Sequence, residues 1–480
     1  MRRRPNSSVL RPSARYAAAV PAIVTAVAPP TARHARVRNQ DTTALTKVGF
    51  VTVAILWVLI LLEPQTWLAE HGPDVLHKIP TILFGILTLE LLVSPPRARF
   101  YLPLLAVVLI TALTAPFAYN IGYAIEPLKK LVIIYLLALG TLRFVRTAKQ
   151  VTFVVILGML GQYLWYGLQG VRTGSVWWHS MLANEDAFGP LMVVGIGTCS
   201  YIGLASRGRM RFVGLFGAAL CLLGLVSSFA RGASLAAAVV AVVIWLRSPR
   251  KGVMTGVLIG MVAVVLVATL VVFRDTSRSD SRTGFWNEMT TIGEDVDGAG
   301  TGGDRYALWS AALRVFREHP ILGTGAENFG PAAAELLRVG EVKGMYADNP
   351  RMLYERKLHN AFYQILTEYG ALGAAIWLWL IGHFWWSNAR LRSPPYAAAW
   401  RSLGGTLDLR YVALGLEAGL VGFFGCAFFY NLLFEQWLFT LLILNALLYH
   451  FVRDTAMRQP VCRQVRAPWR SARPAPVRPN

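Results

Sequence analysis

Long apolar stretches recur along the chain, at about residues 47–66, 79–95, 100–119, 128–142, 150–169, 186–205, 212–230, 232–246, 252–273, 360–386, 411–432 and 436–452. A helix needs about 20 apolar residues to cross the ~30 Å hydrocarbon layer. Lipid tolerates only backbones that satisfy their own hydrogen bonds. Barrel strands would alternate lipid-facing and lumen-facing residues, and these stretches do not alternate. The pattern predicts an all-α, polytopic membrane protein of about twelve transmembrane helices.

The polar segments between them are mostly short, with one exception. Residues 274–358 form a loop between the ninth and tenth spans that carries 11 basic and 13 acidic side chains. Loops of this length are uncommon without a functional reason. Its first part, SRSDSRTGFWNEMTTIGEDVDGAGTGGD, is polar and Gly-rich. The stretch DRYALWSAALRVFREHP then predicts a helix capped by Asp304 and ended before Pro320. Leu308, Ala312, Val315 and Phe316 share one face of it, which predicts an amphipathic helix lying on the membrane or on the bundle. A second short helix is expected with Pro331 in its first turn and Gly340 as its stop. The loop thus reads as a small folded cap. Residues 1–46 and 453–480, rich in Arg, Pro and small residues, read as basic disordered tails.

The formal charge is +21, with 47 Lys and Arg against 26 Asp and Glu. In a soluble protein that excess would suggest nucleic acid, but its distribution argues otherwise. With both termini cytoplasmic, the tails and loops on that side hold 31 Lys and Arg and 3 acidic residues; the opposite side holds 16 and 20. Arg97 and Arg99, Arg143 and Arg146, Arg207 to Arg211 and Arg390 to Arg410 fall in the cytoplasmic loops. This is the positive-inside distribution, so anionic lipid headgroups account for the charge and no nucleic-acid partner is expected. The stretch YAAAVPAIVTAVA weakly resembles a signal-peptide core, but cleavage there would leave the new amino terminus on the wrong side for this pattern. None of Cys199, Cys221, Cys426 and Cys462 falls on the oxidising side, so no disulfide is expected.

Several residues carry candidate chemistry. Arg231, in the turn SSFARGASLA on the side of the large loop, either snorkels to headgroups or binds an anion. Arg305 opens the loop helix; taken singly it reads as a solvated charge. EHPILGTGAENFG offers a Gly-rich turn whose backbone amides are candidates for an anionic ligand. His359 stands where the loop re-enters the membrane, and an imidazole of ordinary pKa near 6.5 suits a general base; alone it reads equally as structural. No HExxH or Cys/His spacing predicts a metal site, and the DxD-like pair Asp295 and Asp297 is too short to define one. Glu90 and Glu417, inside spans, read as polar contacts of the bundle interior.

Three stretches occur in an informative order: SSFARGASLA, then DRYALWSAALRVFREHPILGTGAENFG, then LHNAFYQILTEYGALG. Together they resemble the O-antigen ligase and polymerase family of bacterial inner-membrane proteins, over roughly residues 120–450. EDAFGPLMVVG, near the sixth span, resembles a further stretch of that family. The family pattern has Ser directly before the Arg-Gly pair, where this chain has Ala230 with Ser228 earlier.

The resemblance implies a metal-independent, cofactor-free glycosyltransferase with a GT-C-like membrane fold. Such enzymes take a glycan from undecaprenyl diphosphate on the periplasmic face and pass it to an acceptor hydroxyl, on lipid A-core for a ligase or on a growing glycan for an O-antigen or exopolysaccharide polymerase. The ligase is the first expectation and the polymerase the alternative. Carried over by motif, Arg231 and Arg305 bind the diphosphate and His359 is catalytic. The chemistry agrees, because guanidinium groups can hold a departing diphosphate bidentately. A bicarbonate-transporter-like protein is the third reading, disfavoured because no paired halves with interrupted helices and midplane polar sites are evident.

Overall fold

A computed structural model describes residues 44–63, 78–94, 101–173, 185–228, 230–248, 251–267, 301–341 and 346–456. The chain divides into Met1–Leu45 and Thr46–Asn480. Only Ala44 and Leu45 of the first unit are described, so the amino-terminal tail, the DxD-like pair and most of the carboxy-terminal tail lie outside the described residues.

The elements are helices: α1 (Ala44–Leu62), α2 (Ile79–Val93), α3 (Leu102–Thr114), α4 (Ile121–Phe144), α5 (Ala148–Ile156), α6 (Gln162–Thr173), α7 (Glu185–Ala205), α8 (Arg209–Ser228), α9 (Arg231–Arg247), α10 (Lys251–Val267), α11 (Thr301–Glu318), α12 (Phe329–Leu336), α13 (Ala361–Leu391), α14 (Pro394–Ser402), α15 (Leu409–Ala427) and α16 (Gln436–Ala456). No strand occurs among the described residues. Every expected apolar stretch coincides with helix, but among the described residues only six helical segments are both long and apolar enough to cross a membrane: Ala44–Leu62, Ala148–Gly170 (α5, the π-helical turn Leu157–Gly161 and most of α6), Ala187–Ala205, Arg209–Ser228, Ala361–Leu391 and Leu409–Ala427. Helices α2 and α9 are shorter, at 15 and 17 residues. Leu89, Leu92, Phe212 and Leu378 stand exposed on helix surfaces, an arrangement that suits hydrocarbon rather than water.

Helix α7 is buried along almost its whole length, between α8 and α15. Small residues permit the approach: a Cβ on Gly197 would lie 3.0 Å from the Ala418 backbone. The embedded acids are interior contacts, as expected. Glu90 accepts from the Thr52 hydroxyl at 3.3 Å. Glu417 pairs with Arg247 at 2.7 Å and with Arg392 at 3.1 Å, joining α9, the residue that caps the end of α13, and α15.

The loop residues have a hydrophobic cluster of their own. Leu308, Ala312 and Val315 of α11 pack with Phe329 and Ala333 of α12 and with Leu353 and Leu358. Two local expectations need correction. Asp304 lies in the first turn of α11, which begins at Thr301, so Asp304 faces the helix dipole from inside rather than capping from outside. Pro331 does lie in the first turn of α12, but the helix ends at Leu336, short of the expected stop at Gly340. Gly340, in the left-handed region at φ 82°, lies beyond the helix, and its amide bonds to the Ala347 carbonyl at 2.8 Å.

The segment Pro320–Gly325 is inserted into a break in α13. Gly370 has φ 63° and ψ −168° inside that helix. The Ala371 and Leu372 amides therefore leave the helical ladder and donate to the Pro320 and Ile321 carbonyls at 2.8 and 3.1 Å. The carbonyls of Thr367 and Glu368 instead accept from the Thr324 and Gly325 amides at 3.0 and 2.9 Å. Two hydrogen bonds within a helix are thus exchanged for four between the loop and the helix, leaving none of these backbone groups unpaired.

Candidate active site

Neighbours of Arg231, Arg305 and His359 meet at one turn, Phe428–Phe429, that follows α15. Gly232, second residue of α9, abuts it: a Cβ there would lie 2.7 Å from the Phe429 Cβ. This brings the Arg231 turn against Phe429. The turn is held by Ser228, whose hydroxyl donates to the Leu225 carbonyl at 2.7 Å and accepts from the Ala230 amide at 3.3 Å. The displaced serine is thus a structural part of the turn. Gly189 of the EDAFGP stretch packs on the same turn, where a Cβ would lie 2.6 Å from the Ala230 Cβ.

Phe428 meets the other two signatures. Its carbonyl accepts from the Asn360 side-chain amide at 3.0 Å. Its ring meets Trp309 edge-on, with centroids 5.6 Å apart. Trp309 stacks on Tyr363 at 5.5 Å and donates its indole N–H to the Leu358 carbonyl at 3.1 Å. Arg305 lies four residues before Trp309, hence on the same face of α11. His359 lies between Leu358 and Asn360. All three predicted residues are half-buried.

The backbone around His359 is distinctive. His359 adopts φ 48°, in the left-handed region, which non-glycine residues enter rarely and at some cost. Asn360 follows as the cap of α13. It is fully buried, and its side-chain oxygen accepts from the Phe362 and Tyr363 amides at 2.9 and 3.1 Å. One side chain therefore starts the helix, binds Phe428 and holds the chain reversal that presents His359. The sequence reading singled out the histidine of this pair and missed the asparagine, although Asn directly before a helical run is a recognised start signal.

The Gly-rich turn does not do what its composition suggested. Its amides are spent within the protein: Gly323 on the His319 carbonyl, Thr324 and Gly325 on α13, and Glu327 on the Glu368 carboxylate at 2.8 Å. The glycines serve close docking instead, since a Cβ on Gly323 would lie 2.4 Å from the Glu368 carbonyl carbon. The turn is also clamped to the start of α4. Asn328, fully buried, accepts from the Asn120 amide at 2.6 Å and donates to the Asn120 carbonyl at 3.1 Å. The Tyr119 hydroxyl and the His319 ring are 2.8 Å apart.

A polar group adjoins the His359 turn that sequence reasoning did not find, because its members are separated along the chain. Gln364 donates to Glu327 at 3.2 Å and to Glu368 at 3.1 Å. Lys357 pairs with Glu327 at 3.5 Å. Burial pushes the Glu435 carboxyl above the usual range, opposed by the charges of Lys130 and Lys357 and reinforced by Glu327.

The described chain is a helical membrane protein whose polar signatures are gathered at the junction of loop and bundle. Residues 216–378, which hold Arg231, Arg305 and His359, match the family model described as O-Antigen ligase. The resemblance to that family therefore holds across the segment carrying the candidate site, and it supports a glycosyltransferase of the ligase and polymerase kind. No curated protein matches the chain.

Proposed function

We propose that the protein transfers a glycan from undecaprenyl diphosphate to an acceptor hydroxyl on the periplasmic face of the inner membrane, as an O-antigen ligase whose acceptor is lipid A-core. Arg231 and Arg305 hold the diphosphate and His359 acts on the acceptor. In the reaction the bond from the anomeric carbon to the diphosphate oxygen breaks, and a bond from that carbon to the acceptor oxygen forms. Negative charge grows on the leaving oxygens, where two guanidinium groups stabilise it. The acceptor proton passes to the His359 imidazole. No nucleotide enters, because the diphosphate linkage already carries the activation.

The observation that supports this reading is the meeting of the signature stretches at Phe428–Phe429, which gathers the neighbours of both arginines and the histidine from distant parts of the chain. The outward orientation rests on the distribution of arginine among the loops, with both termini cytoplasmic.

A deletion strain tests the reading. Loss of a ligase leaves core-only lipid A while lipid-linked polymer accumulates. At most one repeat attached to the core would identify a polymerase instead. Unchanged lipopolysaccharide and exopolysaccharide would remove both.

A further inference from the structure

We propose that Glu327 and Lys357, supported by Gln364, form a hydroxyl-binding subsite for the acceptor saccharide beside His359. The inference rests on the transferase reading and adds the place where the acceptor is recognised.

Glu327 and Lys357 are 3.5 Å apart and both reach the surface, with side chains 25% and 62% exposed. Beneath them Gln364 is 1% exposed. Its amide nitrogen serves both Glu327 and Glu368, while its amide oxygen is buried without a hydrogen-bond partner. Flipping the amide would aim that oxygen at the Glu327 carboxylate, which favours the orientation in which the nitrogen donates. An acceptor atom left open in an otherwise bonded polar group calls for a donor, and a saccharide hydroxyl supplies one as the surface pair rearranges around it.

The backbone of Glu327 is a second indication. Its φ is 54°, in the left-handed region, where a turn with only structural duties would favour Gly or Asn. Such strain gathers where a side chain is needed in one place. The pair is not required for docking the loop, which Thr324 and Gly325 accomplish through α13 backbone bonds. An ion pair this exposed contributes little to stability.

Charge and position identify the ligand. The Glu327 carboxylate disfavours a diphosphate, whereas a carboxylate that accepts beside an ammonium that donates suits sugar hydroxyls. Lys357 is two residues before His359, and Gln364 lies in the first turn of α13, where its backbone N–H donates to the Asn360 carbonyl at 3.0 Å. A group that takes the proton of the attacking hydroxyl must stand next to the acceptor, so the subsite beside it serves the acceptor and the arginines serve the donor.

The test measures binding to purified full-length protein in lipid, without donor, of two probes: delipidated lipopolysaccharide core oligosaccharide and a repeat-unit oligosaccharide. Undecaprenyl diphosphate is titrated separately. Glu327→Gln and Lys357→Ala should each weaken one oligosaccharide about tenfold, leave undecaprenyl diphosphate within about twofold and keep the thermal midpoint; Lys357→Arg should recover most of the affinity. The probe affected identifies the acceptor. Unchanged oligosaccharide affinity in the variants, weakened undecaprenyl diphosphate instead, or wild-type protein that binds neither oligosaccharide overturns the proposal. Oligosaccharide binding that depends on Glu327 in a protein showing no transfer when donor is added would overturn the transferase reading alone.

Discussion

The Asn360 side chain donates to the Phe428 carbonyl at 3.0 Å while its oxygen caps α13. One asparagine thereby fixes the His359 turn to the turn on which Gly232 and Trp309 also rest. Asn360→Ala removes both functions and should cost about 2 kcal/mol, roughly half for the cap and half for the carbonyl left unpaired. Transfer should fall at least tenfold, because a displacement of about 1 Å is costly at a reacting centre. Asn360→Ser should restore most of the thermal midpoint through its cap oxygen and little of the activity. Equal recovery of both would show that the Phe428 bond has no bearing on the site.

Gly370 separates docking from ordinary helix propensity. A Cβ there would lie 2.3 Å from the Ile321 carbonyl oxygen at a φ of 63°, whereas one on Gly382, in the same helix, meets nothing within 4 Å. Gly370→Ala should destabilise by about 3 kcal/mol or more. Gly382→Ala should be neutral or stabilising by up to about 1 kcal/mol. Thermal midpoints of the two variants, measured side by side, check the inserted loop. Similar midpoints would contradict the exchange of hydrogen bonds between Pro320–Gly325 and α13.

Glu63, one residue beyond the end of α1, predicts a dependence on pH. Burial pushes its carboxyl up from 4.5 to about 7, against a hydrogen bond from Gln436. Its folded value exceeds its unfolded one, so the stability linked to its proton is present below about pH 4.5 and lost as pH rises through about 7. Glu63→Gln mimics the protonated form. It should therefore be more stable than the wild type at pH 8, by up to about 3 kcal/mol, and equal to it near pH 4.5. Midpoints that differ equally at both values would deny Glu63 the raised pKa.

The helices were legible because apolar runs of span length have few alternatives in lipid, and each expected stretch does coincide with one. Among the described residues, length and composition by themselves assign spans to only six helical segments. Arg231, Arg305 and His359 stood out as polar groups in signature stretches beside apolar ones. The Gly-rich turn was misread because glycine permits close approach to a ligand and to another backbone equally, and only the partner atoms distinguish the two. Glu327, Lys357 and Gln364 left no trace at the level of spacing, since the break at Gly370 and the inserted loop bring them together.

Single-turnover transfer is the most direct test of the idea that two guanidinium groups and one imidazole act as one site. Purified protein in lipid, supplied with an undecaprenyl-diphosphate glycan and its acceptor, should lose at least about a hundredfold in rate with Arg231→Ala, Arg305→Ala or His359→Ala, each folded by its thermal midpoint. The triple variant should fall little further than the worst single one, as residues acting together do. Full activity of His359→Ala, or losses that multiply independently across the three, would contradict it.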